Sequence, residues 1–230
     1  MPVVVAFVSQ KGGVGKTTLA RALASVAALG GMTVAISDLD VGQQTATRWG
    51  ELRENHDVEP AIAIQLCSDI FEALETFAHV DLLIVDCAGS AHRGTLDVAA
   101  NSHLVVLPTG ASLDDLYPTV LLLHELVAAG IPLDRLTTAL CRVLSKAEED
   151  EGRIYIQKAG YDVLPGSIPE RAAFREAQNL GHSLNETKQK ALAAVVDDLM
   201  NALLAKVMEQ VSGHVSQASG SAQTRRKKIR

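Results

Sequence analysis

The residues best suited to chemistry stand in one run, Lys11-Gly12-Gly13-Val14-Gly15-Lys16-Thr17-Thr18. Gly12, Gly13 and Gly15 let the backbone turn tightly and present its N–H groups to an anion. Lys16 can reach the β- and γ-phosphates of a nucleotide, and Thr17 offers a hydroxyl to Mg²⁺. A helix that follows aims the positive end of its dipole at the same anion. Residues 12–18 are therefore read as nucleotide-binding. The run departs from the common phosphate-loop pattern G-x-x-x-x-G-K-[ST]. Gln10 stands where the first glycine falls, and Lys11 is a second lysine. A turn that merely links a strand to a helix would need neither lysine.

Strands and helices must bring further groups to this loop. Val3–Val8 is an apolar run and predicts a buried strand that delivers the loop. Thr17–Leu29 has helical periodicity and is ended by Gly30-Gly31. Thr33–Ser37 predicts a second strand running into Asp38-Leu39-Asp40. Gln43–Asn55 predicts a helix, Ala61–Leu66 a strand, and Asp69–Phe77 a helix capped by Ser68 or Asp69. Asp81–Asp86 is a buried strand with a carboxylate at its C-terminal end. His103–Leu107 is a strand stopped by Pro108, followed by a helix over Asp114–Ala129 with Pro118 in its first turn. Leu136–Val143, Lys146–Ala159, Asp162–Leu164, Arg171–Asn179 and Thr187–Val211 read as strand, helix, edge strand and two helices. This alternation implies an α/β, doubly wound, mostly parallel sheet with helices on both faces. The division expected is a P-loop nucleotide-binding domain over 1–211 and a disordered basic tail over 212–230.

The chain has 230 residues, of which 47% are apolar, 21% charged and only 3% aromatic, so its core must be aliphatic. Cys67, Cys87 and Cys141 are odd in number and lack CxxC spacing. They exclude a disulfide framework, a zinc site and a bridged iron–sulfur cluster, and they suit a reducing, cytoplasmic setting. The N-terminus does not read as a signal peptide, and no apolar stretch is long enough to span a bilayer. The net charge of −6 is uneven: residues 212–230 carry Arg225, Arg226, Lys227, Lys228 and Arg230 without an acid, leaving −11 on the body.

The two-lysine loop resembles the deviant Walker A motif of the ParA/MinD family of partition and positioning P-loop ATPases. The resemblance extends over roughly residues 1–205. It implies that Lys11 reaches across a dimer interface to the partner's ATP, so that ATP favours the dimer and hydrolysis releases it. Asp38-Leu39-Asp40 is similar to the family's D-x-D element. The first aspartate there supports Mg²⁺ through water and the second positions the attacking water, roles carried onto Asp38 and Asp40. A helix N-cap is the competing role for Asp40. Asp86 ends its strand in Walker B fashion and is expected to hold Mg²⁺. The family often continues with Thr-Pro-Pro, where this chain has Cys87-Ala88-Gly89; Gly89 can still offer a backbone N–H, and Cys87 is expected to pack. Pro108–Leu116 looks like the loop bordering the dimer interface. Ile168–Ala177 resembles the segment between the adenine pocket and the nucleic-acid surface, with Arg142 flanking the base and Arg171 and Arg175 as DNA contacts.

The function implied first is a Mg²⁺-dependent ATPase of the small ParA type, without an N-terminal DNA-binding domain. Its ATP-bound homodimer would bind DNA without sequence preference, aided by Arg225, Arg226, Lys227 and Lys228. A centromere-binding or cargo adaptor protein would stimulate hydrolysis, with the protein cytoplasmic and, when on DNA, nucleoid-associated. A MinD-like membrane-associated ATPase is the alternative. It ranks second because the tail has charge but almost no apolar face, so membrane binding is not expected. A MipZ-like division regulator is a further alternative, suggested by Asp38–Arg48. Cluster carriers of the superfamily need paired cysteines that are absent here.

Overall fold

The computed structural model describes residues 1–89 and 93–227, the side chains of 93 and 213–227 excepted. A seven-stranded, all-parallel sheet forms its centre, in the order β3-β2-β4-β1-β5-β6-β7. The strands are β1 (Val3–Phe7), β2 (Val34–Asp38), β3 (Ala63–Leu66), β4 (Leu82–Asp86), β5 (Leu104–Thr109), β6 (Leu136–Val143) and β7 (Ile168–Pro169). Between and after them run α1 (Lys16–Leu29), α2 (Thr45–Asn55), α3 (Ile70–Thr76), α4 (Arg93–Ala100), α5 (Leu113–Ala128), α6 (Lys146–Lys158), α7 (Ala172–Gln178) and α8 (Lys190–Lys227). Alternate strand residues face opposite sides, as the pleat requires. Val5, Phe7, Ile36 and Ile84 pack with α1, α2, α7 and α8. Val4, Ala6, Leu83 and Val85 pack with α3, α4, α5 and α6. The expected doubly wound sheet with helices on both faces is what forms.

Four expectations need revision. Pro108 does not stop its strand: β5 continues to Thr109, and Pro108 pairs with Ala139. On the β1 side the ladder has already ended at Val106, so the missing N–H breaks no bond there. Asp162–Leu164 contributes one isolated bridge, Thr138 to Val163, and the edge strand is Ile168–Pro169 instead. Helix α4 has no counterpart in the sequence reading. Among its described side chains only Val98 and Ala99 are core, too few to show a period. Helix α8 runs Lys190–Lys227, where a helix ending at 211 and an unstructured tail are expected, so secondary structure does not mark a division at 212.

Pro118 lies inside α5. A proline has no N–H to give to the carbonyl four residues earlier, so Asp114 O lacks its helical donor. Among the described residues, no helix is long and apolar enough to cross a membrane.

Candidate nucleotide site

Register assembles the site. Phe7 pairs with Asp86, and Asp86 pairs with Asp38, so three neighbouring strands end at one level. The glycine-rich loop leaves β1 at that level and enters α1 at Lys16. Gly15 precedes the helix with φ +114°, a conformation that glycine adopts without strain. A cavity of about 610 Å³ opens there, lined by Gly12, Gly13, Gly15, Lys16, Thr17, Thr18, Asp40 and the 87–89 segment.

Lys16 is 7% exposed and its Nζ donates to Lys11 O at 3.2 Å. Burial lowers its pKa, opposed by the charges of Asp86 and Asp40. Asp86 is buried, receives a hydrogen bond from Thr17, and leaves its Oδ1 without a hydrogen-bond partner among the described residues. Burial pushes its pKa up to about 7. Asp38 adds to this, while Thr17, Lys16 and Arg21 pull the other way. A buried carboxylate oxygen with no donor, beside a threonine hydroxyl, fits a hydrated Mg²⁺.

Asp38 is fully buried and organises the loop after β2. Its Oδ1 accepts from Asp40 N at 3.0 Å; its Oδ2 accepts from Thr47 N at 3.0 Å and Thr47 Oγ1 at 3.1 Å. The capping duty weighed for Asp40 therefore falls on Asp38, which serves the first turn of α2. Asp40 accepts from Gln43 N at 3.0 Å and lines the cavity. Gly89 lies over the loop: a Cβ added there would stand 3.1 Å from Gly12 Cα and 3.5 Å from Lys16 Nζ. Cys87 packs, as expected, and its burial raises the thiol's pKa, which argues against a thiolate.

Lys11 points away from the cavity. Its Nζ donates to Asp115 Oδ1 at 2.6 Å and to Asp114 O at 2.9 Å, and its side chain is 39% exposed. The second acceptor is the carbonyl that Pro118 leaves free.

A second cavity of about 300 Å³ continues from Gly13, Gly15 and Thr18 to Arg142, Glu170, Phe174 and Gln178. Arg142 has φ +58°, uncommon for a side chain of this size. Its Nη1 donates to Gly13 O at 3.1 Å and its Nε to Glu170 Oε2 at 3.2 Å, so it bridges the loop to the segment after β7. Arg171 and Arg175 line this cavity, and Arg175 is ion-paired with Glu170. Arg225, Arg226, Lys227 and Lys228 lie outside the described side chains. Sequence reasoning missed Arg21, Trp49, Arg53 and Glu186, which tie α1 and α2 to the segment after α7.

The sequence profile described as "CobQ/CobB/MinD/ParA nucleotide binding domain" matches residues 5–184. The chain belongs to this family. A sequence comparison with curated proteins gives no match. Among solved structures, the MinC:MinD cell division protein complex of Aquifex aeolicus is similar at TM-score 0.71 and 15% identity, covering 88% of this chain and 96% of that one. The septum site-determining protein MinD of Pyrococcus horikoshii, complexed with Mg-ADP, gives 0.67 and 17%, covering 88% and 96%. A ParA family ATPase from Chlorobium tepidum gives 0.67 and 17%, covering 87% and 99%. At these identities the likeness is one of fold. The glycine-rich loop and the residues that line the cavity behind it all fall within the matched stretch.

Proposed function

We propose that this chain is a Mg²⁺-dependent, ATP-hydrolysing dimerisation switch for DNA partitioning. Its ATP-bound homodimer holds DNA without sequence preference, and an adaptor protein at the cargo stimulates hydrolysis and release. The observation that carries the reading is the divergent placement of two lysines from one loop. Lys16 is buried in the phosphate cavity, whereas Lys11 is outside it and partly exposed. A single chain has no use for Lys11 in its own cavity; a second chain has.

ATP and Mg²⁺ are the cofactors. Thr17 and Asp86, with support from Asp38, would hold Mg²⁺, which when bound would supply charge neutralisation at the phosphates. Lys16 and the N–H groups of residues 12–18 hold those phosphates. Asp40 orients the attacking water, and Arg142 flanks the base. On the dimer, Arg171, Arg175 and the terminal cations Arg225, Arg226, Lys227 and Lys228 meet DNA phosphates.

The test measures molecular mass and binding to random-sequence DNA and anionic vesicles, with ADP and with a non-hydrolysable ATP analogue. The expected result is a dimer that binds DNA with the analogue alone. Vesicle binding without DNA binding would sink the partition reading. In Lys11→Ala, dimerisation with the analogue is expected to weaken at least about tenfold while the monomer still binds nucleotide; intact dimerisation would remove Lys11 from its role.

Asp86 makes metal binding pH-dependent. Its folded pKa lies above its ordinary value, so its protonated form stabilises the metal-free fold at low pH. That contribution is lost as pH rises through about 7. Mg²⁺ needs the ionised form. The rise in melting temperature on adding Mg-ADP over ADP alone is therefore larger at pH 8 than at pH 6. Equal increments at both would place the metal elsewhere.

A further inference from the structure

Arg21 is 6% exposed in the middle of α1, yet it touches two elements that the nucleotide sites depend on. Its Nη2 donates to the carbonyl of Thr45, the first residue of α2, and its Nη1 donates to Gln178 Oε1 on α7 at 3.1 Å. Thr45 follows directly on the turn that Asp40 opens, and Gln178 is a wall residue of the base cavity. The guanidinium lies 5.1 Å from the ring centroid of Trp49 on α2, which holds its plane. A planar fork of donors can serve both acceptors at once, which the single ammonium of lysine cannot match in geometry. The same charge is felt by Asp38 and Asp86.

From this geometry we infer that Arg21 is a positioning residue that couples the base cavity to the Asp40 loop, so that the nucleobase contributes to turnover as well as to binding. A base against α7 fixes Gln178. Gln178 fixes one arm of the fork, and the other arm fixes the start of α2. Asp38 grips the same turn through Thr47, so Asp40 and the metal-side carboxylate are set together. Binding energy from a remote part of the substrate then appears as orientation at the reacting phosphate. The inference rests on the ATPase reading above.

The experiment compares turnover of ATP with that of inorganic triphosphate, both with Mg²⁺ and at saturation. In the unaltered protein, ATP is expected to turn over at least roughly tenfold faster than triphosphate, a modest share of what positioning can supply. In Arg21→Met, ATP turnover falls toward that of triphosphate and the ratio collapses, while the Kd for ADP stays within about twofold of its starting value, because α7 still walls the base. A role in folding alone would lower both substrates together. Gln178→Leu removes the outer arm's acceptor as well as one wall group of the base cavity; with the Kd for ADP read beside it and within about twofold, it is expected to lower the ratio in the same sense, so a failure of Arg21→Met to fold leaves the question decidable. A ratio unchanged in folded Arg21→Met or in Gln178→Leu overturns the coupling. Absence of ATP hydrolysis in the unaltered protein would instead overturn the ATPase reading, which separates the two failures.

Discussion

In Asp40→Ala, ATP turnover is expected to fall by about two to four orders of magnitude while ATP still binds, the range set by removing a positioned general base or water-orienting group. The carboxylate lines the cavity over the glycine-rich loop, and its hydrogen bond among the described residues is from Gln43 N in its own turn. Asp38 and Thr47 keep the start of α2 in place without it. The measurement is single-turnover hydrolysis beside a nucleotide-binding titration. Turnover within threefold of the starting value would remove Asp40 from the chemistry. A parallel loss of ATP binding would make it a structural residue.

The second large effect is on stability. Glu186→Ala is expected to cost about 3–5 kcal/mol, the range for leaving one member of a buried ion pair without its partner. Arg53 is 3% exposed and forms a two-pronged pair with Glu186, Nη1 to Oε2 at 2.7 Å and Nη2 to Oε1 at 2.8 Å. Glu186 also accepts from Ser25 Oγ and Ser183 N, each at 2.7 Å. Burial raises the Glu186 pKa, but the bonds from Arg53, Ser183 and Ser25 outweigh it and hold the group below the ordinary value. The stabilisation is therefore present above that ordinary value and is lost as pH falls through the depressed one. Urea unfolding at pH 7 checks the magnitude. The double variant Arg53→Met/Glu186→Leu should recover much of the loss, because it buries no lone charge. A loss under about 1 kcal/mol for Glu186→Ala would mean that the pair is not a net hold.

What was legible in the sequence follows from the range of each interaction. Strands buried on both faces read as continuous apolar runs, so Val3–Phe7 and Leu82–Asp86 announce themselves. The loop 11–18 is local, and its lysines, glycines and threonines name their chemistry by type and spacing. The carboxylates after β2 and β4 are legible because a parallel sheet presents strand ends to ligand at one edge. By contrast, Arg21 meets Gln178 across 157 residues and Arg53 meets Glu186 across 133, and nothing in the spacing joins them. Gly89 looks like an ordinary glycine until its approach to Gly12 is seen. Gly181 is similar: at φ +77° a Cβ there would fall 2.5 Å from Arg53 N, so it is the glycine that lets α2 come close. Helix α4 was invisible because it is short and mostly exposed.

The proline in α5 has a consequence for ionic strength. Lys11 is held by one charged acceptor, Asp115, and one neutral acceptor, the Asp114 carbonyl that Pro118 leaves without a donor. Added salt weakens the first of these, since the pair is partly exposed. It leaves the second nearly untouched, because a carbonyl carries no net charge to screen. The lysine therefore keeps an internal berth in brine as well as in dilute buffer, and a helix defect supplies the part of that berth which does not depend on the medium.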